Sequence, residues 1–410
     1  MDVLVLNAGS SSLKASVFAV EGTEVRELWG GQVEGIGTGR AAARFREAGR
    51  NRPIADYAWP AGGGPEDHVA AVGLVVEGLA QWRPGFVPGA IGHRVVHGGM
   101  RYAEPVLVTP EVRRYLESIG RLSPLHGPAN LAGIDAAVEA YPGVPQVACF
   151  DTAFHRRKPW ECDTYALPRR FYAEGIRRYG FHGISYESVI WRLKREEPEL
   201  VRGRLVVAHL GNGASLCAIR DGRSVETTMG FTPTDGVPMG TRCGQIDPGV
   251  LTYLIREGWT AERLEGLLNR ESGLKGLSGI SGDMRDLLAS GAAEAREAIG
   301  YFVHRVAGTV GYLAVALGGM DGLVFTAGIG ENAAKVRAAI CERLAWLGLR
   351  LDAERNAAHG PLISAEGSAI KVLVVPTDEE RMIATQTERV VGSGSEITGG
   401  QAGEPFTSEG

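Results

Sequence analysis

Two arginines occupy positions that demand an explanation. Arg94 lies in Gly92-His-Arg-Val-Val-His-Gly-Gly99, a stretch otherwise apolar enough to be a buried strand. A charge there needs an anionic partner, because an unpaired buried charge is strongly destabilising. Arg242 lies in Met239-Gly-Thr-Arg-Cys-Gly244, a glycine-flanked loop with freedom to reach a ligand. Guanidinium forks of this kind suit a carboxylate on one side and phosphoryl oxygens on the other. His126, His182 and His209 each adjoin Gly, Pro or a strand end, where an imidazole can face a ligand. Asp151 and Glu379 follow apolar strand-like runs and could hold Mg²⁺ directly or through water. Each residue also has a structural reading: a salt bridge for Arg94, a solvated loop for Arg242, helix capping for the carboxylates.

The elements that position these residues show a repeat. Val3 to Phe18 reads as a buried strand, a Gly/Ser turn and a second strand, and Leu205 to Ile219 repeats that pattern. Asn7 and His209 close the first strand of each copy. Turns of this composition leave backbone N–H groups pointing outward, as phosphate oxygens require. Two such copies predict two related halves closing on one nucleotide. The turns around Ser10–Ser12, Gly211–Gly213 and Gly328–Gly330 are the candidate phosphate cradles.

Between these landmarks the chain alternates strands and helices. Helices are predicted over 67–82, from Pro128 to Tyr141, after the Asp247 cap with Pro248 in the first turn, over 293–317 and over 333–347. Strands are predicted at 90–99, 144–150, 322–326 and 372–375. A last helix runs to about Val391, and the Gly/Ser-rich composition from residue 392 to 410 predicts a disordered tail. The fold class is α/β, a duplicated two-domain arrangement of the actin–hexokinase (ribonuclease H-like) type, with the active site in a cleft between domains. The predicted domains are 1–150, joined by the C-terminal helix (about 380–391), and a nucleotide-binding domain over 151–379.

Bulk properties remove several alternatives. At 410 residues the chain exceeds one ordinary core. A net charge of −5 without a Lys/Arg run argues against nucleic acid and anionic membranes as partners. Five scattered cysteines without a C-x-x-C pair fit a reducing, cytoplasmic setting. No apolar run is long enough to span a membrane. The P-loop pattern is absent, since no Gly-Lys dipeptide occurs, and so is the G-x-S-x-G elbow. Gly35-Ile-Gly-Thr-Gly39 lacks the Rossmann spacing, and His93 and His97 flank Arg94 rather than the Glu of a zinc-protease helix.

Taken in order, Leu6-Asn-Ala-Gly-Ser-Ser-Ser-Leu-Lys14, Gly92–Gly99, Pro124-Leu-His-Gly-Pro-Ala-Asn-Leu131 and Phe150-Asp-Thr-Ala-Phe-His155 resemble the acetate kinase family. Arg178-Tyr-Gly-Phe-His-Gly183, His209-Leu-Gly-Asn-Gly-Ala-Ser-Leu216, Met239–Pro248, Gly282-Asp-Met-Arg-Asp286 and Ala327-Gly-Ile-Gly-Glu-Asn332 continue the resemblance over roughly residues 1–390. It implies reversible phosphoryl transfer between ATP and acetate, Mg²⁺ with Mn²⁺ as a substitute, and a homodimer. It also implies Arg94, His126, Asp151, His182 and Arg242 as catalytic residues, with Asn7 and Glu379 on the metal. Val96, Leu125, Phe181 and Pro233 match the pocket for the acyl methyl group, with Arg94 at the carboxylate. On the nucleotide side stand Lys14, Ser10, Ser12, His209, Leu210, Gly211, Asn212 and Gly213. Asp283, Met284, Arg285, Gly328, Ile329, Gly330, Glu331 and Asn332 complete it.

Three positions depart from the pattern: Gln245 replaces an acidic residue after the Thr-Arg-x-Gly run, Asp378 an Asn, and Gly127 an Asn. The first removes any electrostatic support that an acid would give Arg242. The implied acceptor is ionised at neutral pH and needs no base, so the expected route is direct in-line transfer without a phosphoenzyme. The alternatives are a kinase for propionate or another short acyl acceptor and a non-catalytic actin-like nucleotide binder, which would have no need of the arginines and histidines.

Overall fold

A computed structural model describes residues 1–9, 11–50, 53–60, 62–124 and 126–393. Ser10 and Leu125, both expected site residues, lie outside the described residues, as does the expected tail from 394 on. The chain forms two compact units, one from Met1–Ala153 with Glu379 onward, the other from Phe154–Asp378.

The first unit is built on eight strands: β1 (Asp2–Ala8), β2 (Ser12–Glu21), β3 (Glu24–Glu34), β4 (Ala42–Glu47), β5 (Pro53–Ala58), β6 (Ala90–Val95), β7 (Val106–Leu107) and β8 (Gln146–Phe150). Their order is β5-β4-β3-β2-β1-β6-β8-β7. The second unit has five, β9 (Arg204–Leu210), β10 (Ala214–Arg220), β11 (Arg223–Thr227), β12 (Gly322–Thr326) and β13 (Lys371–Val374), ordered β11-β10-β9-β12-β13. In β3-β2-β1-β6-β8 three antiparallel strands are followed by two parallel ones, and β11-β10-β9-β12-β13 repeats that sequence of pairings. The two hairpins legible in the sequence are thus β1–β2 and β9–β10, each at the heart of its sheet. This is the duplicated α/β plan of the actin–hexokinase type.

Alternation of side chains across each sheet builds the cores. In the first unit Leu4, Leu6, Leu13, Ala15 and Val17 join Trp29 and Phe45, whose rings stack at 5.4 Å, under the helix His68–Trp82. In the second, the helix Gly183–Glu196 buries Tyr186, Val189, Ile190 and Leu193 against Leu205, Val207, Cys217 and Val324. The long helix Ala293–Leu317 packs against β9, β10 and β11.

Parallel pairing decides where the polar residues end up. Arg94 pairs with Cys149 in the β6–β8 register, so Asp151 emerges one residue beyond the end of β8. Asn7 is next to last in β1, with Lys14 opposite it on β2. The helix Glu379–Gly392 lies on β1, β6 and β8 and starts with Glu379 and Glu380.

That helix can approach β6 because residue 92 is glycine. A Cβ there would stand 2.2 Å from Thr387 Oγ1 and 2.7 Å from Ile383 Cγ2. We expect Gly92→Ala to cost about 1–3 kcal/mol through overpacking. Thermal melting should show a clear drop, part of it recovered when Thr387→Ala is added; an unchanged Tm would disprove this seating.

His93 beside it is buried, donates to Gln146 Oε1 at 2.7 Å, and is pushed down to about 4 by burial, against the opposing pull of that hydrogen bond. The folded protein therefore keeps this ring neutral where the unfolded chain would protonate it. The resulting stability is fully present above the ordinary histidine value and is lost as pH falls toward 4, by up to about 1.4 kcal/mol per pH unit. Urea midpoints measured between pH 6.5 and 4.5 should fall less steeply for His93→Gln than for the wild type.

Candidate active site

At the strand ends of the first unit the side chains form one connected group. Arg94 donates through Nε to Asp151 Oδ1 at 3.1 Å and through Nη2 to Oδ2 at 2.6 Å. The Asp151 side chain is only 2% exposed and that of Arg94 18%, so the fork is held in a largely desolvated place. Removing either partner of such a pair typically costs ~3–5 kcal/mol, because the other charge is left buried. Arg94 Nη1 also donates to Asn7 Oδ1 at 3.3 Å, and Asn7 Nδ2 donates to Glu380 Oε1 at 3.2 Å. The group thus runs from Asp151 through Arg94 and Asn7 to the start of the C-terminal helix.

Its electrostatics are lopsided. Burial by itself would lower the Arg94 guanidinium, but Asp151 and Glu379 outweigh it and hold the charge firmly on. Glu379 is pushed up to about 7, first by burial and then by Asp151 and Glu380, against the pull of Arg94 and Lys14. Two cations here face three carboxylates. A divalent cation would relieve that excess, so the donor set fits one. Among the described residues no group of three His, Cys, Asp or Glu side chains is arranged to enclose a metal.

Asn130 is a positioning residue that sequence reasoning overlooked. Buried in the helix Gly127–Ala140, it accepts from Val96 N at 3.0 Å and donates to Ala8 O at 3.2 Å, tying together the exits of β6 and β1. The helix begins at Gly127, one of the three departures, directly after its cap residue His126. Val96 is buried beside this tie. Ser12, at the start of β2, accepts from Gly9 N at 2.8 Å through its backbone oxygen and so closes the first turn.

In the second unit β9 ends at His209-Leu210 and leads into Gly211-Asn212-Gly213, closed by Gly211 N donating to Gly213 O at 3.1 Å. A Cβ on Gly213 would stand 3.4 Å from His182 Nε2 and 3.6 Å from Arg242 Nη1. Both cation-capable side chains therefore border the glycine turn, and only glycine leaves that space open. Arg242 Nη1 is steadied by the Pro233 carbonyl at 3.0 Å. The loop carrying it is stitched to the segment 268–275 through Cys243 N to Leu268 O, Leu274 N to Met239 O and Lys275 N to Gly240 O. Gln245 accepts from Arg305 Nη2 at 2.8 Å, so this departure finds its partner on the long helix.

His182 has φ 58°, a left-handed backbone that a non-glycine residue adopts only when its surroundings impose it. The imposing groups lie in the segment after Asp151. His155 Nε2 donates to Phe181 O at 3.0 Å, and Lys158 Nζ donates to Arg178 O and, at 3.4 Å, to Tyr179 O. Burial first, and then the Lys158 charge, push His155 down to about 3, so it remains a neutral donor. Burial also lowers Lys158, with Asp163 at 3.5 Å opposing. Three carbonyls of the Arg178–His182 loop are thereby pinned, which fixes Phe181 and His182. Sequence reasoning gave His155 and Lys158 no role, since nothing in their spacing links them to residue 182.

The segment Ala327–Asn332 corrects an expectation. It is a short helix, not an open glycine turn, and Glu331 Oε1 accepts from Ala327 N at 2.9 Å and Thr377 N at 3.3 Å. The chain's own carboxylate thus occupies the Ala327 N–H at the start of this helix, and Gly328, Ile329, Gly330 and Asn332 lie along it. Asp283 caps the helix Met284–Ala289 and chelates the exposed Arg285, while Met284 is buried. Asp378 directs its backbone N–H at Ser188 Oγ. No helix among the described residues is long and apolar enough to cross a membrane.

Residues 2–385 match the model of the acetokinase family. An acetate kinase of Nitrobacter hamburgensis is 52% identical, the match covering 94% of this chain and 95% of that one. An acetate kinase of Methylocella silvestris is 49% identical over 94% of this chain and 96% of its own length. Among solved structures, a propionate kinase from Francisella tularensis superposes with a TM-score of 0.87 at 36% identity, covering 95% of this chain and 99% of that one. Porphyromonas gingivalis acetate kinase gives 0.84 at 37% identity with the same coverage. A model match over nearly the whole length, with relatives this similar end to end, makes the chain a member of the acetokinase family.

Proposed function

We propose that this chain is an acetate kinase, transferring the γ-phosphoryl group of ATP reversibly to acetate by direct in-line displacement, with Mg²⁺ and as a cytosolic homodimer. The observation that carries the reading is the Arg94 fork, a permanent cation held by Asp151 at a strand end. Such a group recognises an ionised carboxylate. A hydroxyl acceptor would instead require a base, whereas acetate, with a pKa of about 4, is already a nucleophile at neutral pH.

In this reading Arg94 holds the acetate carboxylate, and Asp151 keeps the guanidinium oriented. Arg242 neutralises the oxygens of the transferring group, and His182 donates to one of them in the transition state. His126 stands near the acceptor. Val96, Phe181, Pro233 and Leu125 enclose the methyl group. The nucleotide is assigned to Lys14, Ser10, Ser12, His209–Gly213, Asp283–Arg285 and Gly328–Asn332. Glu379 and Asn7 would hold the metal, which when bound offsets phosphate charge. Two anions must meet, so positioning and charge neutralisation supply the rate enhancement. Exposed Tyr312 and Val315 on the long helix offer apolar surface for a second copy.

Propionate is the second reading, favoured by the likeness to the Francisella propionate kinase. One methylene is worth only ~1–3 kcal/mol in an apolar pocket, so the two acceptors differ in degree. Acyl phosphate trapped as the hydroxamate from Mg-ATP with acetate, propionate and butyrate should show the highest kcat/KM with acetate. A preference for propionate would select the second reading, and no product from any of them would reject both. Arg94→Lys, which loses the fork, should lower kcat/KM for acetate by roughly a hundredfold; near-normal kinetics would remove Arg94 from the acceptor site.

A further inference from the structure

His182 and His209 stack face to face, ring centroids 4.2 Å apart and planes inclined by 22°. Each ring has its Nδ1 on a chain of buried or half-buried hydroxyl groups that no catalytic assignment uses. From His182 Nδ1 the chain runs to Ser215 Oγ at 2.9 Å and on to the Tyr186 hydroxyl at 2.5 Å. From His209 Nδ1 it runs to Ser185 Oγ at 2.8 Å, Thr377 Oγ1 at 2.8 Å and Ser188 Oγ at 3.2 Å. Ser188 Oγ there accepts the Asp378 backbone N–H at 3.1 Å.

Counting protons gives these chains a direction. A hydroxyl carries one proton and two lone pairs. Tyr186 and Ser215 together bring two protons to two links. If Tyr186 donates to Ser215 and Ser215 donates to His182 Nδ1, both are used. If His182 Nδ1–H donated instead, three protons would compete for two links and one would be left over, on Tyr186 or on Ser215; both side chains are wholly buried, with no second acceptor among the described residues. The other chain obeys the same count. Ser188, Thr377 and Ser185 bring three protons to three links, all used when they run toward His209. If His209 Nδ1–H donated instead, four protons would compete for three links and one hydroxyl would be left without an acceptor in the chain, since the Asp378 N–H beside Ser188 can only donate. Buried donors without acceptors are costly, so both chains run toward the rings. Burial raises Tyr186 well above the ordinary phenol range, which keeps its proton in place.

We infer that Tyr186–Ser215 and Ser188–Thr377–Ser185 are positioning relays that hold His182 and His209 as neutral Nε2–H tautomers, each presenting a fixed hydrogen-bond donor to phosphoryl oxygens. For His182 the direction of that donor is visible, because Nε2 borders the space above Gly213 alongside Arg242 Nη1. Two stacked imidazolium ions would repel at this separation, whereas two neutral rings tolerate it. A neutral Nε2–H also donates without adding charge beside Arg242. The identity of the acceptor as a phosphoryl oxygen rests on the kinase reading; the tautomers do not.

The test is side-chain ¹⁵N NMR of the full-length, histidine-labelled protein without nucleotide, with resonances assigned from His182→Gln and His209→Gln. Both rings should show a protonated Nε2 and a bare Nδ1. Tyr186→Phe and Ser215→Ala should move His182 toward the Nδ1–H form and lower kcat roughly tenfold at unchanged KM for both substrates, as expected when one transition-state donor is misdirected. Thr377→Val should shift His209 alone. A wild-type His182 protonated at Nδ1 overturns the inference, as does a Tyr186→Phe enzyme with unaltered tautomer and kcat. Since the wild-type spectrum needs no turnover, Nε2–H rings in a protein that forms no acyl phosphate would refute the kinase reading and leave the relays standing. Acyl phosphate formation with Nδ1–H rings would do the reverse.

Discussion

The buried pair of Arg94 and Asp151 is the constraint around which the first unit is arranged. A guanidinium at the end of a central strand is tolerable only if a carboxylate meets it with matching geometry. The parallel β6–β8 register supplies that match by delivering Asp151 one residue beyond β8. The same pairing forces glycine at residue 92, because the helix bringing Glu379 and Glu380 must lie close against β6. Glu379 is then left buried and in carboxylate company, which raises it toward neutrality. One ion pair thus sets a strand register, a glycine and a charge imbalance.

Duplication explains why the second unit looks so similar and behaves so differently. β1 and β9 occupy equivalent places in their sheets, yet β1 ends in a network of charged side chains and β9 in an imidazole bonded to a hydroxyl and a glycine turn. In the first unit a carboxylate fixes the functional cation. In the second, hydroxyl groups hold the His182 and His209 rings. A carboxylate beside His182 would favour the imidazolium, and a second positive charge would crowd the adjoining ring. Serine, threonine and tyrosine orient the ring without charging it.

How much of this was legible in the sequence follows from how local each signal is. The hairpins at 3–18 and 205–219, the Pro128 helix start, the Asp247 cap and the 293–317 helix are written in short-range periodicity and capping chemistry, and they stand where the sequence puts them. Arg94 announced itself as a charge in an apolar run, but its partner lies 57 residues away and became visible only through parallel pairing. Glycines 328 and 330 read as a turn because glycine is a weak helix former; the Glu331 carboxylate returning to Ala327 N overrides that preference. Gln245 read as a lost support for Arg242, whereas its neighbour is Arg305, 60 residues on. The hydroxyl relays left no sequence signature at all. Ser185, Ser188 and Tyr186 share a helix whose pattern reads simply as amphipathic, and Thr377 joins them from the far end of the unit.

The two styles of anchoring also bear on how two anions could be brought together. Arg94 is already compensated by Asp151, so its contribution is direction more than net charge. The local excess is negative, three carboxylates against Arg94 and Lys14, and would by itself discourage a phosphate. In the proposed reading a metal at Glu379 would relieve that excess, and Arg242 would meet the oxygens of the transferring group. Under that division of labour a pair of charged histidines would be redundant as well as mutually repulsive. The Nε2–H donors inferred above would instead add directional hydrogen bonds where charge spreads over the transferring oxygens, and would need no proton uptake when the substrates arrive. In the proposed reading the first unit would select the acceptor by the shape of a held fork, and the second would meet the migrating group with dipoles that are already in place.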